Sequence, residues 1–389
     1  MMRIGIVTRR VGFNDGQGRV NLEIAAEALR QGHEVRLYCE HADQRMIRAG
    51  AVADLVLPPP FLPTRMVRDQ LFALRTRWRL SGGAGRCDAV LACGFSTWAP
   101  ADVNAVHFVH RSWLRSPYHP WRLHRSPRSL YTRVFSEVNR HMERSAFGRS
   151  GAIVAVSDKV RRELIEAGVP PGRISTIVNG VDAEEFHPGP AGRGPFGLPE
   201  NVPLALFAGD LKTPRKNLDT VLRALAEVPD LHLAVAGRHE GTPWPAMAHE
   251  LGVAARVHFL GFQTDMPALM RAVDLFAFPS RYEACSLVLL EALASGLPVV
   301  TAESAGGAEL IGPGVGVVLA NSDDVGALAA ALRDLLAAPG RRHAMAAAAR
   351  QLALAHSWPV MARQYLDLLQ RAAARRASVA APILDPAHA

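Results

Sequence analysis

Short apolar segments alternate with amphipathic segments along most of the chain. In the first half the apolar segments are RIGIVT (3–8), HEVRLYC (33–39), CDAVLAC (87–93), VNAVHFVH (103–110), GAIVAVS (151–157) and RISTIVNGVD (173–182). Segments with helical period cover 20–32, about 128–147 and 158–168. Apolar strands that alternate with helices indicate a parallel sheet covered on both faces.

The same rhythm starts again after a segment rich in proline and glycine, HPGPAGRGPFGLPENV (187–202), which predicts a linker. The strands predicted after it are PLALFAGD (203–210), LHLAVAGR (231–238), ARVHFLG (255–261), VDLFAFP (273–279) and LPVVTA (297–302). Alanine-rich helices are predicted over about 322–375. We therefore predict an α/β protein with two doubly wound Rossmann-like domains.

The domain boundaries follow from these patterns. Residues 1–186 are predicted as an N-terminal Rossmann-like domain and residues 203–357 as a second one, with the linker 187–202 between them in sequence. The last residues, 376–389, are predicted to be loose because their composition favours no regular element.

Composition limits the class of protein. Hydrophobic residues make up 49% and charged residues 21% of the 389 residues, a normal globular balance. No apolar run reaches the length of a membrane span. The four cysteines, Cys39, Cys87, Cys93 and Cys285, have neither metal-ligand nor disulfide-framework spacing. We expect a reducing, cytoplasmic setting.

The positive charge is concentrated in residues 61–150. This segment has fifteen arginines against five acidic residues, whereas the whole chain has a net charge of +8. Trp78, Trp113 and Trp121 lie among the arginines. Such a surface could contact an anionic membrane or an anionic acceptor, and the alternative is that a GC-rich genome encodes arginine in place of lysine. No nucleic-acid motif accompanies the charge, so we expect no nucleic-acid partner.

Two loops that follow predicted strands contain residues suited to phosphate. In RRVGFNDGQGRVN (9–21), Gly16 and Gly18 precede a predicted helix, although Asn21 stands where a dinucleotide fingerprint has its third glycine. In AGDLKTPRKNLDT (208–220), Arg215 and Lys216 are adjacent cations that suit a diphosphate leaving group. A plain turn and two exposed cations remain the alternative interpretations.

The segment FPSRYEACSLVLLEALASGLPVVT (278–301) has two glutamates around an uncharged run. Glu283 is predicted in a turn and Glu291 in the following helix. A carboxylate can accept two hydrogen bonds from a vicinal diol, so both glutamates suit sugar hydroxyls. Leu287 and Val288 fall near the helix start, where free N–H groups could bind a phosphate.

Histidines give a weaker signal. In VHFVHRSW (106–113), His107 and His110 are predicted to end a strand, on opposite faces. His124, Asp102 and Glu143 are near in sequence but have no ligand spacing. We expect no metal site and no cofactor.

Several segments together resemble the retaining family-4 glycosyltransferases, which have the GT-B fold, with two Rossmann-like domains facing a central cleft. The segments are VAVSDKVRREL (154–164), VNGVDAEEFHPG (178–189), VHFLG with MPALMRAVDLFAFPS (257–280), PSRYEACSLVLLEALASGLPVVTAESAGGAEL (279–310) and SWPVMARQYLDLL (357–369). The resemblance covers nearly the whole chain. It implies that a C-terminal helix, at about 358–375, completes the first domain.

The resemblance also implies roles for individual residues. Glu291 would hold the ribose hydroxyls of a nucleotide, Glu283 the hydroxyls of the transferred sugar, and Arg215 with Lys216 the departing diphosphate. His110, rather than His107, would contact the donor sugar, and Glu309 would support the nucleotide pocket. The catalytic residues implied are Glu283, His110, Arg215 and Lys216. The donor-binding residues implied are Gly16, Gly18, Gly209, Arg215, Lys216, Gly261, Glu283, Ser286, Leu287, Val288 and Glu291.

Two departures from the family pattern stand out. Many members have Gly-Arg where this chain has Gly209-Asp210, so Arg215 or Lys212 would supply the missing cation. Many have Glu-Gly-Phe-Gly where this chain has Glu283-Ala284-Cys285-Ser286. The donor sugar and its base are therefore left open.

The resemblance implies a glycosyltransferase, of hexosyltransferase type, that retains anomeric configuration. It would move a sugar from a UDP- or GDP-linked donor to a saccharide or lipid-linked acceptor in cell-envelope or exopolysaccharide synthesis. The basic segment 61–150 would place it at the inner membrane face. The alternatives are a catalytically silent GT-B partner subunit, a GT-B sugar-nucleotide epimerase and an NAD-dependent oxidoreductase.

Overall fold

The computed structural model describes residues 1–13, 15–59, 61–62, 64–82 and 87–380. The chain forms two compact units. Within the described residues, the first contains 1–156, 160–177 and 358–380, and the second contains 157–159 and 178–357. Both units are doubly wound α/β structures, as the sequence predicts.

The first unit has a seven-stranded parallel sheet with strand order β5-β3-β1-β6-β7-β8-β9. Its strands are β1 (Arg3–Val7), β3 (Glu34–Cys39), β5 (Val52–Leu55), β6 (Ala89–Cys93), β7 (Ala101–Val106), β8 (Ser150–Ala155) and β9 (Ile174–Thr176). Two short strands, β2 (Arg10–Val11) and β4 (His41–Ala42), pair separately. Strand order reverses between β1 and β6, where doubly wound sheets bind ligands.

The helices of the first unit are α1 (Gly16–Arg30), α2 (Gln44–Arg48), α3 (Arg65–Ser81), α4 (His110–Arg115), α5 (Pro120–Leu123), α6 (Pro127–Arg149), α7 (Asp158–Glu166) and α14 (Trp358–Ala380). Helix α14 packs against α1, and its Tyr365 and Leu369 are fully buried. Because it continues to Ala380, residues 376–380 are helical where the sequence predicts a loose tail. The rest of that tail, 381–389, lies outside the described residues.

The second unit has a six-stranded parallel sheet with order β12-β11-β10-β13-β14-β15. Its strands are β10 (Leu204–Ala208), β11 (His232–Ala236), β12 (Val257–Gly261), β13 (Leu275–Phe278), β14 (Val299–Ala302) and β15 (Gly316–Leu319). Its helices are α8 (Leu218–Ala226), α9 (Trp244–Glu250), α10 (Met266–Arg271), α11 (Leu287–Ala294), α12 (Val325–Ala337) and α13 (Pro339–Ala355). The order reverses between β10 and β13.

Residues 187–202, where the sequence predicts a linker, belong to the second unit. Arg193 is the physical reason, since its guanidinium donates to the carbonyls of Ala272 (2.8 Å) and Val202 (2.7 Å). It also pairs with Asp274 at 3.0 Å. High proline and glycine content rules out regular elements, but it does not prevent a segment from packing against its neighbours.

Two further predictions differ from the structure. Helix α1 begins at Gly16 and not at residue 20, because Asp15 caps it by accepting from the Gly18 N–H at 2.6 Å. His107 and His110 do not end a strand: β7 stops at Val106, and His110 begins α4. No helix in the described part of the chain is long and apolar enough to cross a membrane.

Candidate functional site

The second unit places two cations at the point where its strand order reverses. The loop after β10 contains a 3-10 turn, Pro214–Lys216, that ends at Asn217. Asn217 is buried with φ 70°, and its side-chain amide donates to the carbonyls of Pro279 (2.8 Å) and Ser322 (2.6 Å). These bonds fix the turn against the loop after β13. Arg215 and Lys216 therefore lie beside the residues that follow Phe278.

Both cations contact one carboxylate oxygen. Arg215 Nη1 lies 2.6 Å from Glu283 Oε1, and Lys216 Nζ lies 2.7 Å from the same atom. Ser280 Oγ donates to this oxygen at 3.2 Å, and Arg215 also donates to the Tyr282 carbonyl at 2.6 Å. All three ionic side chains are largely buried, so solvent screens these pairs less than it screens surface pairs. One negative and two positive charges leave an excess of one positive charge.

The glycines named from the sequence shape the base of this cluster. The alkyl chain of Lys216 runs across Gly209, where an added Cβ would lie 3.3 Å from its Cδ. Gly237, which sequence reasoning missed, approaches closer still, since its added Cβ would lie 2.3 Å from the Gly209 carbonyl oxygen. Gly261 ends β12 and accepts from the Gly237 N–H at 2.8 Å.

Arg281 anchors the cluster to α8, and sequence reasoning missed it. Its guanidinium makes two hydrogen bonds of 2.8 Å to the two oxygens of Asp219 and one of 2.6 Å to Asp323. The Arg281 side chain is only 9% exposed. The signal available in the sequence is its position two residues before Glu283. Arg281 also donates from Nη1 to the Pro214 carbonyl at 2.8 Å, so it holds the turn that contains the cation pair.

The backbone from Glu283 to Ser286 is held by the segment that follows β14. Glu283 N–H donates to the Ser304 carbonyl at 3.2 Å, and Glu283 O accepts from Gly306 at 3.1 Å. Ser286 N–H donates to the Gly306 carbonyl at 3.0 Å. Gly306 has no room for a side chain, because an added Cβ would lie 1.8 Å from the Ala284 carbonyl oxygen. This contact fixes the segment in which the chain departs from the family pattern.

Helix α11 begins directly after this segment. Leu287 and Val288 are its first two residues, as the sequence predicts. Ser286 at the N-cap makes no side-chain cap hydrogen bond, and its buried hydroxyl has no partner among the described residues. N–H groups at a helix start with an uncapped N-terminus can bind an anion. Burial raises the pKa of the neighbouring Cys285 thiol to about 12, so this thiol stays protonated.

Glu291 and Glu309, the other two glutamates named from the sequence, lie in different environments. Glu291 is half-buried on the second turn of α11. Glu309 accepts from the backbone N–H groups of Asp158 (2.6 Å) and Gly307 (2.9 Å). Both of its oxygens thus hold backbone within the second unit, which indicates a structural role for Glu309.

The first unit contains a cavity of about 730 Å³ at the carboxyl ends of β1, β6 and β7. His110 lies in its wall, with Nδ1 at 2.6 Å from Glu143 Oε1 and its backbone N–H at 3.0 Å from Glu143 Oε2. Glu143 therefore holds His110 with both of its carboxylate oxygens, and the Nε2 atom of His110 takes no part in this contact. The ring of His110 also makes edge contacts with Phe108 and Phe135.

His107 lines the same cavity but has a different environment. Its Nε2 is buried without a hydrogen-bond partner among the described residues, and burial lowers the pKa of His107 to about 4. The imidazole is thus neutral near pH 7. The signal for Glu143 was present in the sequence only as a nearby carboxylate, because its contact with His110 spans 33 positions.

Four arginines and four acidic residues among those described line the cavity, so its formal charges balance and what matters is which arginines are paired. Arg9 pairs with Glu40 at 2.7 Å and with Asp69, whereas Arg10 and Arg68 make no ion pair in the part of the chain that the structure describes. The Nε atom of Arg68 is buried without a hydrogen-bond partner there. A half-buried guanidinium with an unsatisfied donor is a natural anion ligand.

Gly16 and Gly18 lie in the first turn of α1, and only Gly18 lines the cavity. Because the Gly18 N–H already donates to Asp15, this N–H is not available to a phosphate in this conformation. An added Cβ at Gly18 would lie 3.0 Å from the Gly12 carbonyl oxygen, so a side chain here would require its neighbours to shift. Among the described residues, no group of three His, Cys, Asp or Glu side chains could hold a metal ion.

Comparisons with known proteins identify the family. Two family models match, "Glycosyltransferase Family 4" over residues 14–185 and "Glycosyl transferases group 1" over residues 191–352. D-inositol 3-phosphate glycosyltransferases from Mycobacterium tuberculosis and Mycobacterium bovis are 38% identical over 218 residues, which is 53% of this chain and 45% of theirs. The chain thus spans about half the length of the curated relatives that it matches.

Solved structures with similar folds cover nearly the whole chain. WaaG, a glycosyltransferase involved in lipopolysaccharide biosynthesis, has a TM-score of 0.74 at 24% identity, covering 94% of this chain and 99% of its own. Sucrose-phosphate synthase from Thermosynechococcus elongatus has a TM-score of 0.76 at 17% identity, covering 98% and 100%. Anabaena HepE in complex with UDP and glucose has a TM-score of 0.68 at 22% identity, covering 95% and 100%.

Proposed function

The chain belongs to the family-4 glycosyltransferases, which have the GT-B fold, and from this premise we propose that it transfers a hexose from a UDP-linked donor to a saccharide or lipid-linked acceptor. The complexes of HepE with UDP and with UDP-glucose support the choice of uridine. WaaG supports a role in cell-envelope polysaccharide synthesis.

The observation that carries the proposal is the convergence of Arg215 and Lys216 on Glu283. The cluster has one positive charge in excess and lies at the strand-order reversal, where doubly wound sheets bind ligands. A diphosphate would draw the two cations away from the carboxylate, and Glu283 would then accept hydrogen bonds from sugar hydroxyls. The cations would stabilise the charge that develops on the leaving diphosphate.

The start of α11 would extend this site. Ser286 offers a hydroxyl that has no partner in the described part of the chain, and Leu287 and Val288 offer helix-terminal N–H groups to a phosphate. Glu291, on the second turn of the same helix, would accept both ribose hydroxyls. These roles rest on the resemblance to the family and on the positions of the residues along one helix.

For the first unit we propose an acceptor site. Its cavity is large enough for a sugar-sized molecule, and Arg68, whose Nε has no hydrogen-bond partner among the described residues, favours an acceptor that carries phosphate. The name of the mycobacterial relatives, D-inositol 3-phosphate glycosyltransferase, supports an anionic acceptor. His110, held by Glu143, would contact the transferred sugar or the attacking hydroxyl.

The proposed reaction retains the anomeric configuration. The bond between the anomeric carbon and the diphosphate oxygen breaks, and the acceptor oxygen forms its bond on the same face. The acceptor proton passes to an oxygen of the leaving diphosphate. No protein nucleophile takes part, so this chain contributes charge stabilisation and positioning.

A donor screen tests the proposal. The purified protein is incubated with UDP-, GDP- and ADP-linked hexoses and phosphorylated acceptors, and free nucleotide release is measured with and without EDTA. We expect release from a UDP-sugar that the acceptor stimulates and that EDTA leaves unchanged. NMR of the product then gives the anomeric configuration. Release from no donor by the wild-type protein would overturn the proposal.

One observation favours a second candidate, a catalytically silent partner subunit. Position 210 has an aspartate in place of a cation, and its carboxylate accepts from the Lys212 N–H at 3.1 Å. Such a subunit would bind UDP but would not cleave a UDP-sugar, so no free UDP would be formed from the donor. Thermal stabilisation by UDP without any release in the donor screen is the result that would favour it.

A further inference from the structure

Helix α3 has an outward apolar stripe that the glycosyltransferase fold does not explain. The stripe consists of Val67, Leu71, Leu74 and Trp78, which are spaced by four, three and four residues and therefore share one face of the helix. Val67, Leu74 and Trp78 are 40%, 53% and 73% exposed.

The opposite face of α3 is the one that packs on the first unit. Phe72, Ala73 and Thr76 are buried, and Thr76 Oγ1 donates to the Ser96 carbonyl at 3.1 Å. The helix thus has two apolar faces, of which only one is used by the described part of the protein. A helix that needs only one buried face for folding has no structural use for leucine and tryptophan on the other.

Arginines flank the stripe on both sides. Arg75 and Arg77 lie about 100° of helix rotation away from Leu74 and Trp78 on either side of the stripe. Arg79 has its guanidinium carbon 5.7 Å from the Trp78 ring centre. Helix α3 as a whole has five arginines and one acidic residue.

The patch continues into the segment between β5 and α3. Arg75 donates to the Leu57 carbonyl and Arg79 pairs with Asp54 at 2.7 Å, so this segment lies along the flank of the stripe. Leu57, whose carbonyl Arg75 contacts, is 59% exposed. Exposed apolar surface is therefore present beside the stripe as well as on it.

We propose that this face of α3 docks onto an anionic phospholipid bilayer. Leucine and tryptophan would enter the boundary between headgroups and acyl chains, and the flanking arginines would pair with lipid phosphates. Charge complementarity selects this occupant, because an apolar stripe with arginines on both sides matches a surface that is apolar inside and negatively charged outside. The inference does not rest on the proposed transfer reaction.

Vesicle co-sedimentation tests the proposal. The full chain is mixed at low ionic strength with vesicles of phosphatidylcholine alone or of phosphatidylcholine with phosphatidylglycerol. We expect the protein to sediment with the second kind only, and less so as salt is added. Equal binding to both kinds, or to neither, would overturn the proposal.

Variants locate the surface. Leu74→Ser combined with Trp78→Ser should weaken partition into the anionic vesicles by about tenfold or more. Arg77→Gln should reduce the salt dependence. The matched control is Phe262→Ser in the second unit, since Phe262 is 67% exposed and has Arg238 at 5.6 Å from its ring centre. This control should bind as the wild type does.

Circular dichroism and UDP-dependent thermal shifts should show that all variants are folded, because Leu74 and Trp78 are not part of the proposed catalytic site. Undiminished vesicle binding by the double variant would overturn the proposal. A dimer that forms as the protein concentration rises, that the double variant does not form and that vesicles do not affect would also overturn the proposal. A second copy of the chain would then cover this face.

Discussion

Lys216 Nζ lies 2.7 Å from Glu283 Oε1, although the two residues are 67 positions apart in the sequence. Arg215 contacts the same oxygen, so one carboxylate holds two neighbouring cations in place. In the proposed function, a diphosphate would take over the two cations that the carboxylate binds in this structure.

Lys216→Ala tests the proposed diphosphate contact. Losing one charged contact costs about 1.5–3 kcal/mol, so transfer should fall by at least about tenfold. The measurement is kcat/KM for release of UDP from a UDP-sugar. Arg333→Ala on α12 is the control, because Arg333 is exposed and makes no contact with the cluster. Near-normal turnover of the Lys216 variant would contradict the assignment.

Glu291→Ala tests the proposed ribose contact. Ribose hydroxyls are bound in both the ground state and the transition state. The substitution should therefore mainly raise KM, by about tenfold, and change kcat less. Isothermal titration with UDP checks the same point without any turnover. Affinity for UDP that matches the wild type would remove Glu291 from the site.

Glu143→Gln tests the support of His110. The charge that accepts from the His110 ring and backbone is lost, while one amide oxygen remains as an acceptor. We expect kcat to fall by about tenfold with little change in affinity for UDP, because Glu143 positions His110 and lies in the other unit from the proposed UDP site. A variant with an unchanged kcat would limit Glu143 to a structural role.

The pH dependence of stability tests the burial of His107. Its pKa is lowered to about 4, below the ordinary value of 6.5, so the unfolded chain takes up a proton first as pH falls. The free energy of unfolding should therefore decrease as pH is lowered from 6.5 to 4, by up to about 3 kcal/mol from this residue. Above pH 6.5 His107 causes no such loss.

Other histidines shift in the same direction, so the comparison with His107→Gln isolates the effect. Urea unfolding at several pH values should show that the free energy of unfolding depends less steeply on pH in the variant than in the wild type. Parallel pH profiles for the two proteins would show that His107 is not buried in its neutral form.

Gly306→Ala tests the close contact beside Glu283. The added methyl would lie 1.8 Å from the Ala284 carbonyl oxygen, so the backbone must move and we expect a loss of about 2–4 kcal/mol in the free energy of unfolding. Gly312→Ala is the matched control, because an added Cβ there has no neighbour within 4 Å. Equal stability of the two variants would contradict the packing of this segment.

The sequence alone determined most of the architecture. Apolar strand runs alternating with helical periods were enough for two doubly wound units, because burial of both sheet faces imposes that pattern. The start of α11 at Leu287 was also predictable. The start of α1 was missed although Asp15, a typical cap residue, was present in the sequence. Helix α3 was missed because its arginines and its second apolar face obscure the helical period.

Only the tertiary structure decided which side chains meet. Arg215, Lys216 and Glu283 converge because Asn217 ties two loops that are more than 60 positions apart, and no local pattern encodes such a contact. The same holds for His110 with Glu143, and for the division of the chain after Ile177. Periodicity reports which face of an element is buried, whereas the partner of a polar side chain depends on how distant loops are folded together.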